Sequence, residues 1–229
     1  MAKGLKEKLG ARQPVVVVNP DHPSPGLVQF IGRLPVDAVF IDCEQGSAGI
    51  ETMENMVRAA RVGGLGSLVR LFSPDDWVIE RYMLRGVDGI VVPRIDTAEA
   101  ARRVVAAVRY CFPNEHAEKV VVVQIETRSA LDELSEFLAI DGIDVLFVGP
   151  VDLAKSLGFA GNYRLPEVQA AIDQAIAMIV DAGKVAGMLV GRDNVAAYLE
   201  KGARFLYTHA NDFLDLGAAD FRRRIDGGA

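Results

Sequence analysis

Residues Val120–Gly158 read VVVVQIETRSALDELSEFLAIDGIDVLFVGPVDLAKSLG, and the fold follows from the pattern this stretch repeats. Val120 to Ile125 is a β-branched run broken only by Gln124, and it ends at Glu126. A helical segment follows. Ile143 to Val148 is a second apolar run, closed by Gly149-Pro150-Val151-Asp152. Short runs that are apolar on both faces mark strands covered on both sides, as in a parallel sheet with helices between its strands. Consecutive parallel strands stand side by side with like ends aligned, so Glu126 and Asp152 are expected to be neighbours. An acid just past a strand is also commonly an N-cap or first-turn residue. Gln124 weighs toward a site, because an amide in a strand buried on both faces needs a partner and a polar pocket supplies one. Two adjacent carboxylates repel unless a proton or a cation lies between them. A hard divalent cation with oxygen ligands meets that requirement.

Outward from this stretch the same design recurs. Val15–Val18 stops at Asn19-Pro20, and Val36–Ile41 at Asp42-Cys43-Glu44-Gln45-Gly46. Ser67–Leu71 carries Arg70, Val87–Val92 stops at Pro93, and Lys184–Val190 and Arg204–Thr208 complete a set of eight strands. Helical periodicity lies between them: Leu5–Leu9, Gly26–Gly32, Met53 to Gly63, Asp96 to about Tyr110, Val168 to Ile179, and helices from about Asn194 and Asn211. Ser73-Pro74-Asp75-Asp76 predicts a helix capped by Ser73 with proline in its first position. Eight strands alternating with eight helices, with no linker, predict a single (βα)8 TIM barrel over residues 1–229, its last helix available for subunit contacts. The active face of such a barrel is the C-terminal end of its strands. Asp42, Glu44, Gln45, Arg70, Gln124, Glu126 and Asp152 gather there, with His22 and His209 on loops of the same face. His116 precedes the fifth strand and belongs to the opposite end.

Composition bounds the partners. A formal charge of −6 with no basic stripe excludes a phosphate-neutralising surface, so no nucleic acid is expected. Arg222-Arg223-Arg224 suits the C-terminal end of a helix, where cations meet the macrodipole. No apolar run approaches membrane-spanning length, and the four valines before Asn19 are too short for a signal segment. Two distant cysteines in no metal or redox pattern, Cys43 and Cys111, fit a cytoplasmic protein with free thiols.

Arg70 sits between apolar neighbours at a strand end and must be paired, by the acids of the second and fifth strands. Its functional role there is to bind a carboxylate or to stabilise an oxyanion. Gly149-Pro150-Val151 opens a helix whose free backbone N–H groups can receive an anion. A dication, an arginine and a helix start together suit a small dianionic or keto-acid ligand.

From about Val36 to Leu216 the chain resembles the HpcH/HpaI aldolase family of metal-dependent pyruvate aldolases. The resemblance rests on Ile41-Asp42-Cys43-Glu44, Val69-Arg70, Val92-Pro93-Arg94-Ile95-Asp96-Thr97-Ala98-Glu99-Ala100, Val123-Gln124-Ile125-Glu126 and Gly149-Pro150-Val151-Asp152-Leu153-Ala154-Lys155-Ser156-Leu157-Gly158. It implies that Glu126 and Asp152 hold Mg²⁺, Mn²⁺ or Co²⁺, with Gln124 nearby and Arg70 on the keto oxygen of pyruvate. It also implies a homo-hexamer, a trimer of dimers, in which the final helix swaps between paired subunits. Three departures stand out. The family's second-strand motif usually ends Glu-His, the histidine being the base, whereas this chain has Glu44-Gln45. The acid that usually orients that histidine aligns with Leu84. A long segment with an Arg-Gly-x-Gly motif is absent before Val120.

The expected function is a divalent-metal carbon–carbon lyase acting on a 2-keto acid (pyruvate, oxaloacetate or a 4-hydroxy-2-keto acid) through a pyruvate enolate. Arg70, Glu44 and Gln45 are its catalytic positions, and Arg70, Gln124, Gly149, Pro150 and Val151 its substrate contacts. Without the usual base, oxaloacetate decarboxylation is favoured over aldol cleavage. The alternatives are a non-catalytic barrel that binds metal and keto acid, and a citryl-type acyl lyase.

Overall fold

The computed structural model describes residues 2–227. Eight parallel strands, β1 (Val15–Asn19), β2 (Ala38–Asp42), β3 (Gly66–Arg70), β4 (Gly89–Val92), β5 (Val120–Ile125), β6 (Val145–Val148), β7 (Val185–Leu189) and β8 (Phe205–His209), close into a barrel. Closure pairs the two ends of the chain: β1 runs along β8 from Val15↔Phe205 to Asn19↔His209. Among the described residues no helix is long and apolar enough to cross a membrane.

Strand side chains alternate between the barrel interior and the helical coat. Val17, Phe40, Leu68, Val122, Phe147 and Tyr207 fill the interior. Val18, Val39, Val69, Val123 and Leu146 face outward, packing with the helices into a second, larger core. The helix Ala2–Gly10 plugs the base by sending Leu5 and Leu9 into the inner cluster. One step beyond the apolar interior, the inward positions turn polar: Asn19, Asp42, Arg70, Gln124 and His209. That layer is the mouth.

β2, β4 and β6 each start two residues later than their apolar runs suggest, and for one reason. Asp37, Asp88 and Asp144 precede them, and their carboxylates accept the N–H of Val16 (2.8 Å), Ser67 (2.9 Å) and Val121 (2.8 Å) on the preceding strand. Side chains thus replace ladder bonds at the barrel base. The helix expected from Ser73 begins instead at Asp76 with Asp75 at its N-cap. Ser73 Oγ donates to the Asp75 carboxylate at 2.6 Å and so closes a local turn. Between β5 and β6 the expected single helix is two, Arg128–Asp132 and Leu134–Leu138. They break at Glu133, whose carboxylate accepts the Ala98 N–H at 2.8 Å and so serves the start of the neighbouring helix.

Candidate active site

Glu126 follows β5 directly and is only 4% exposed. One oxygen, Oε1, accepts the backbone N–H of Arg94 at 2.7 Å, and Oε2 accepts Gln124 Nε2 at 2.8 Å. Burial pushes its pKa up to about 7; the Arg94 N–H opposes this, while the charges of Asp152 and Glu44 add to it. The charge of Asp152 acts on Glu126, and both carboxylates lie at the C-terminal end of the barrel strands. Asp152 lies in the first turn of the helix Pro150–Ser156, 40% exposed, with Lys155 Nζ 2.8 Å away. Gly149 lets the two elements approach: a Cβ there would stand 2.9 Å from Glu126 Oε2. Gln124 is buried, and its Oε1 has no hydrogen-bond partner among the described residues. An unpaired buried carbonyl is costly and calls for a ligand.

Across the mouth, Arg70 forks onto Asp42, with Nε to Oδ1 at 3.0 Å and Nη2 to Oδ2 at 2.6 Å. Its Nη1 lies 3.2 Å from Glu44, and Glu44 also takes Arg94 Nε at 3.1 Å. Burial raises the Asp42 carboxyl, but the Arg70 fork and two backbone N–H groups outweigh it and hold Asp42 below the usual range. A guanidinium carries five N–H donors, so Nη1 and Nη2 each keep one hydrogen for a ligand. In the sequence Arg94 stands out only as part of the motif Val92-Pro93-Arg94-Ile95-Asp96. Its backbone is left-handed (φ 56°), and that turn sends its N–H to Glu126 and its side chain to Glu44. Left-handed non-glycine residues collect at functional sites.

Gln45 is exposed, its backbone N–H bound to Asp42 Oδ1 at 3.1 Å. It lines a hollow of about 210 Å³ with Asn19, Asp21, His22, Asp42 and His209. Leu84 is elsewhere. It ends the helix Asp76–Met83, 55% exposed, just before β4 begins, at the barrel base. Positions 45 and 84 therefore lie at opposite ends of the barrel, and Leu84 could not orient a group at position 45 of its own chain. His116 also lies at the base, in the short 3₁₀ turn His116–Glu118 before β5. Of the helix start proposed to receive an anion, Gly149 N–H is spent on Ile125 O (3.1 Å) and proline has none. Val151 and Asp152 offer the remaining N–H groups.

Among the described residues no three His, Cys, Asp or Glu side chains converge as a metal cluster. The β5/β6 set still suits a hard cation. The charges of Glu126 and Asp152 repel there, and Gln124, whose amide nitrogen holds Glu126, keeps a carbonyl with no partner among the described residues.

A profile of the HpcH/HpaI aldolase/citrate lyase family matches residues 22–219. The 4-hydroxy-2-oxo-heptane-1,7-dioate aldolase of Shigella flexneri is 32% identical over 208 residues, covering 80% of this chain and 78% of that protein. The hydroxypyruvate/pyruvate aldolase of Roseobacter denitrificans is 30% identical over 202 residues, covering 78% and 79%. Among solved structures, a HpcH/HpaI aldolase/citrate lyase family protein from Burkholderia cenocepacia superimposes with a TM-score of 0.88 at 24% identity, over 98% of this chain and 99% of that one. The citrate synthase SbnG gives 0.86 at 22% identity, over 99% of each chain. These two likenesses establish the shared barrel.

Proposed function

This chain belongs to the HpcH/HpaI aldolase/citrate lyase family and is a carbon–carbon lyase, and we propose that it cleaves a 2-keto acid through a pyruvate enolate, with oxaloacetate decarboxylation its favoured reaction. The observation that carries this reading is the β5/β6 wall: buried Glu126 beside Asp152, with the Gln124 carbonyl unpartnered. Glu126 and Asp152 are the residues to hold Mg²⁺, Mn²⁺ or Co²⁺, which would act there as a Lewis acid toward the keto oxygen.

The chain's own groups do the rest. Arg70, held flat by Asp42, directs its remaining N–H groups at the oxygen on which enolate charge develops; a charge-directed donor in a dry site stabilises that oxygen most when it is most negative. The N–H groups of Val151 and Asp152 receive the substrate's C1 carboxylate. Gln124 holds Glu126 in place, and Glu44 holds both Arg70 and Arg94. Aldol cleavage must also remove a proton from the C4 hydroxyl, a step to which a placed base contributes roughly 10²–10⁴-fold. The Gln45 amide cannot accept that proton at neutral pH. Decarboxylation has no such requirement: the C3–C4 bond breaks, CO₂ departs, and the electron pair passes into the enolate.

The test is turnover of oxaloacetate and of a 4-hydroxy-2-keto acid before and after chelator treatment, with Mn²⁺ restored. The reading expects decarboxylation that the chelator stops and Mn²⁺ restores, with little aldol cleavage. A protein that binds Mn²⁺ and pyruvate but turns over neither substrate is a non-catalytic binding barrel.

The terminal helix Ala210–Ile225 buries only Ala210 against its own barrel and exposes Phe213, Leu214, Phe221 and Ile225. Such a face needs cover. We assign it to a second copy of the chain in a hexamer built as a trimer of dimers. Two free thiols, Cys43 and Cys111, suit a cytoplasmic setting.

A further inference from the structure

Breaking a C3–C4 bond leaves an enolate, and product forms only when C3 gains a proton. The groups described so far hold oxygens and charge; none of them delivers that proton. The barrel closure brings a candidate to the same mouth. His209 ends β8, two residues after Tyr207, so it faces inward directly above that ring, with centroids 5.1 Å apart. Asn19 is its register partner on β1, as Arg70 is that of Asp42. His209 therefore belongs to the polar mouth layer with Asp42, Arg70 and Gln124, and it lines the hollow that also contains Asp42 and Gln45.

The ring is held by a carboxylate. Nδ1 of His209 lies 2.5 Å from Asp21 Oδ1, and Asp21 Oδ2 accepts the Asn211 N–H at 2.8 Å. Asp21 is itself fixed in a left-handed turn (φ 63°), its N–H bound to Asn19 Oδ1 at 2.9 Å. Asn19 in turn donates to the Tyr207 hydroxyl at 2.9 Å. With Nδ1–H committed to Asp21, Nε2 is the nitrogen left for substrate. The Asp21 side chain is 13% exposed and that of His209 35%, so the orienting acid is sheltered while the ring opens toward the mouth.

We propose that His209 is the catalytic acid–base residue that carries the proton to and from C3, with Asp21 as its positioning residue; this rests on the enolate reading above. A keto acid held at Arg70 and Glu126 turns its C3 toward His209, while its C4 group lies beside Gln45, out of reach of Nε2. When the C3–C4 bond breaks, its electron pair forms the enolate double bond and CO₂ leaves on that side. Nε2–H of the imidazolium then gives its proton to C3, the enolate pair forms the new C–H bond, and the neutral ring takes a proton from solvent. In reverse, neutral Nε2 removes a C3 proton from pyruvate.

The test follows exchange of the pyruvate C3 protons in D₂O by NMR, using the full-length protein with Mn²⁺, beside oxaloacetate decarboxylation. His209→Asn keeps an N–H for Asp21 but cannot carry a proton, and His209→Ala opens space for added imidazole. Exchange is expected to fall about 100-fold or more in both variants. Melting temperature and oxalate affinity should match wild type, and imidazole should restore exchange in His209→Ala. Exchange within about threefold of wild type in either variant overturns the proposal, set against the effect normal for a placed acid or base. So does loss of exchange that goes with loss of fold or of oxalate affinity in both, or that imidazole leaves unrestored. A wild-type protein with neither exchange nor decarboxylation would instead sink the lyase reading, and this inference with it.

Discussion

On the β2/β3 wall of the mouth, Asp42 and Glu44 are met by Arg70 and Arg94 at 2.6 to 3.2 Å. On the β5/β6 wall, buried Glu126 is in no ion pair among the described residues, while Asp152, 40% exposed, is paired with Lys155 at 2.8 Å. The same barrel thus holds one acid pair met by its own arginines and another whose buried member, Glu126, has no ion-pair partner among the described residues. The pKa shifts point in opposite directions, Asp42 down under its Arg70 fork and Glu126 up to about 7, chiefly through burial. A charge-balanced wall keeps its shape without a ligand, while carboxylates set against each other gain stability from a cation. The proposed function makes the first wall the rigid donor and the second the cation site.

The sharpest way to break this contrast is Arg70→Lys. An ammonium can still meet Asp42, but it loses the planar fork that serves Asp42, Glu44 and a substrate oxygen together. Oxaloacetate turnover should fall about 10²–10³-fold, as for other donors to a developing oxyanion, with Mn²⁺ affinity kept. A lower melting temperature with unchanged turnover per folded molecule would make Arg70 a structural partner only.

Gly149→Ala probes the other wall. Its Cβ would press on Glu126 Oε2 at 2.9 Å and on Glu126 Cβ at 3.0 Å. Mn²⁺ affinity measured by calorimetry should drop about 10- to 100-fold, the scale of a disturbed supporting contact, while circular dichroism stays that of a barrel. Unaltered affinity would mean that Glu126 does not have to sit where it does.

A smaller effect separates the walls by pH in chelator-treated protein. Folded Glu126, raised from 4.5 to about 7, keeps a proton that the unfolded chain has released. Its contribution is full below 4.5 and is lost as pH rises through about 7. Asp42 has the opposite sign: its contribution is full above 3.8 and is lost as pH falls through its lower folded value. Melting temperature should thus decline by a few degrees from pH 5 to 7.5, at roughly 2–4 °C per kcal/mol for a chain this size. Glu126→Gln should remove the decline, and Asp42→Asn should leave it in place.

Much of this was legible in the chain. Short apolar runs located all eight strands, and consecutive parallel strands brought Glu126 and Asp152 to the same end of the barrel. What sequence missed depends on contacts between distant positions. The break at Glu133 serves a helix start at Ala98, and nothing in its own segment signals that. The positioning of Arg94 depends on a left-handed turn that places its N–H at Glu126. Asp21 and His209 meet only because β1 closes onto β8, joining the two ends of the chain. A signal was available, since Tyr207 and His209 share strand parity and a core tyrosine fixes the inward face. Positions 45 and 84, aligned as a pair, are set apart because a helix returns its C-terminus to the barrel base.

The central claim is that the unbalanced wall is a cation site, and titration of chelator-stripped protein with Mn²⁺ tests it most directly. One ion should bind per chain in the wild-type protein, and none should be detectable in Glu126→Ala or in Asp152→Ala, each folded by circular dichroism. Wild-type affinity in either variant would contradict the account.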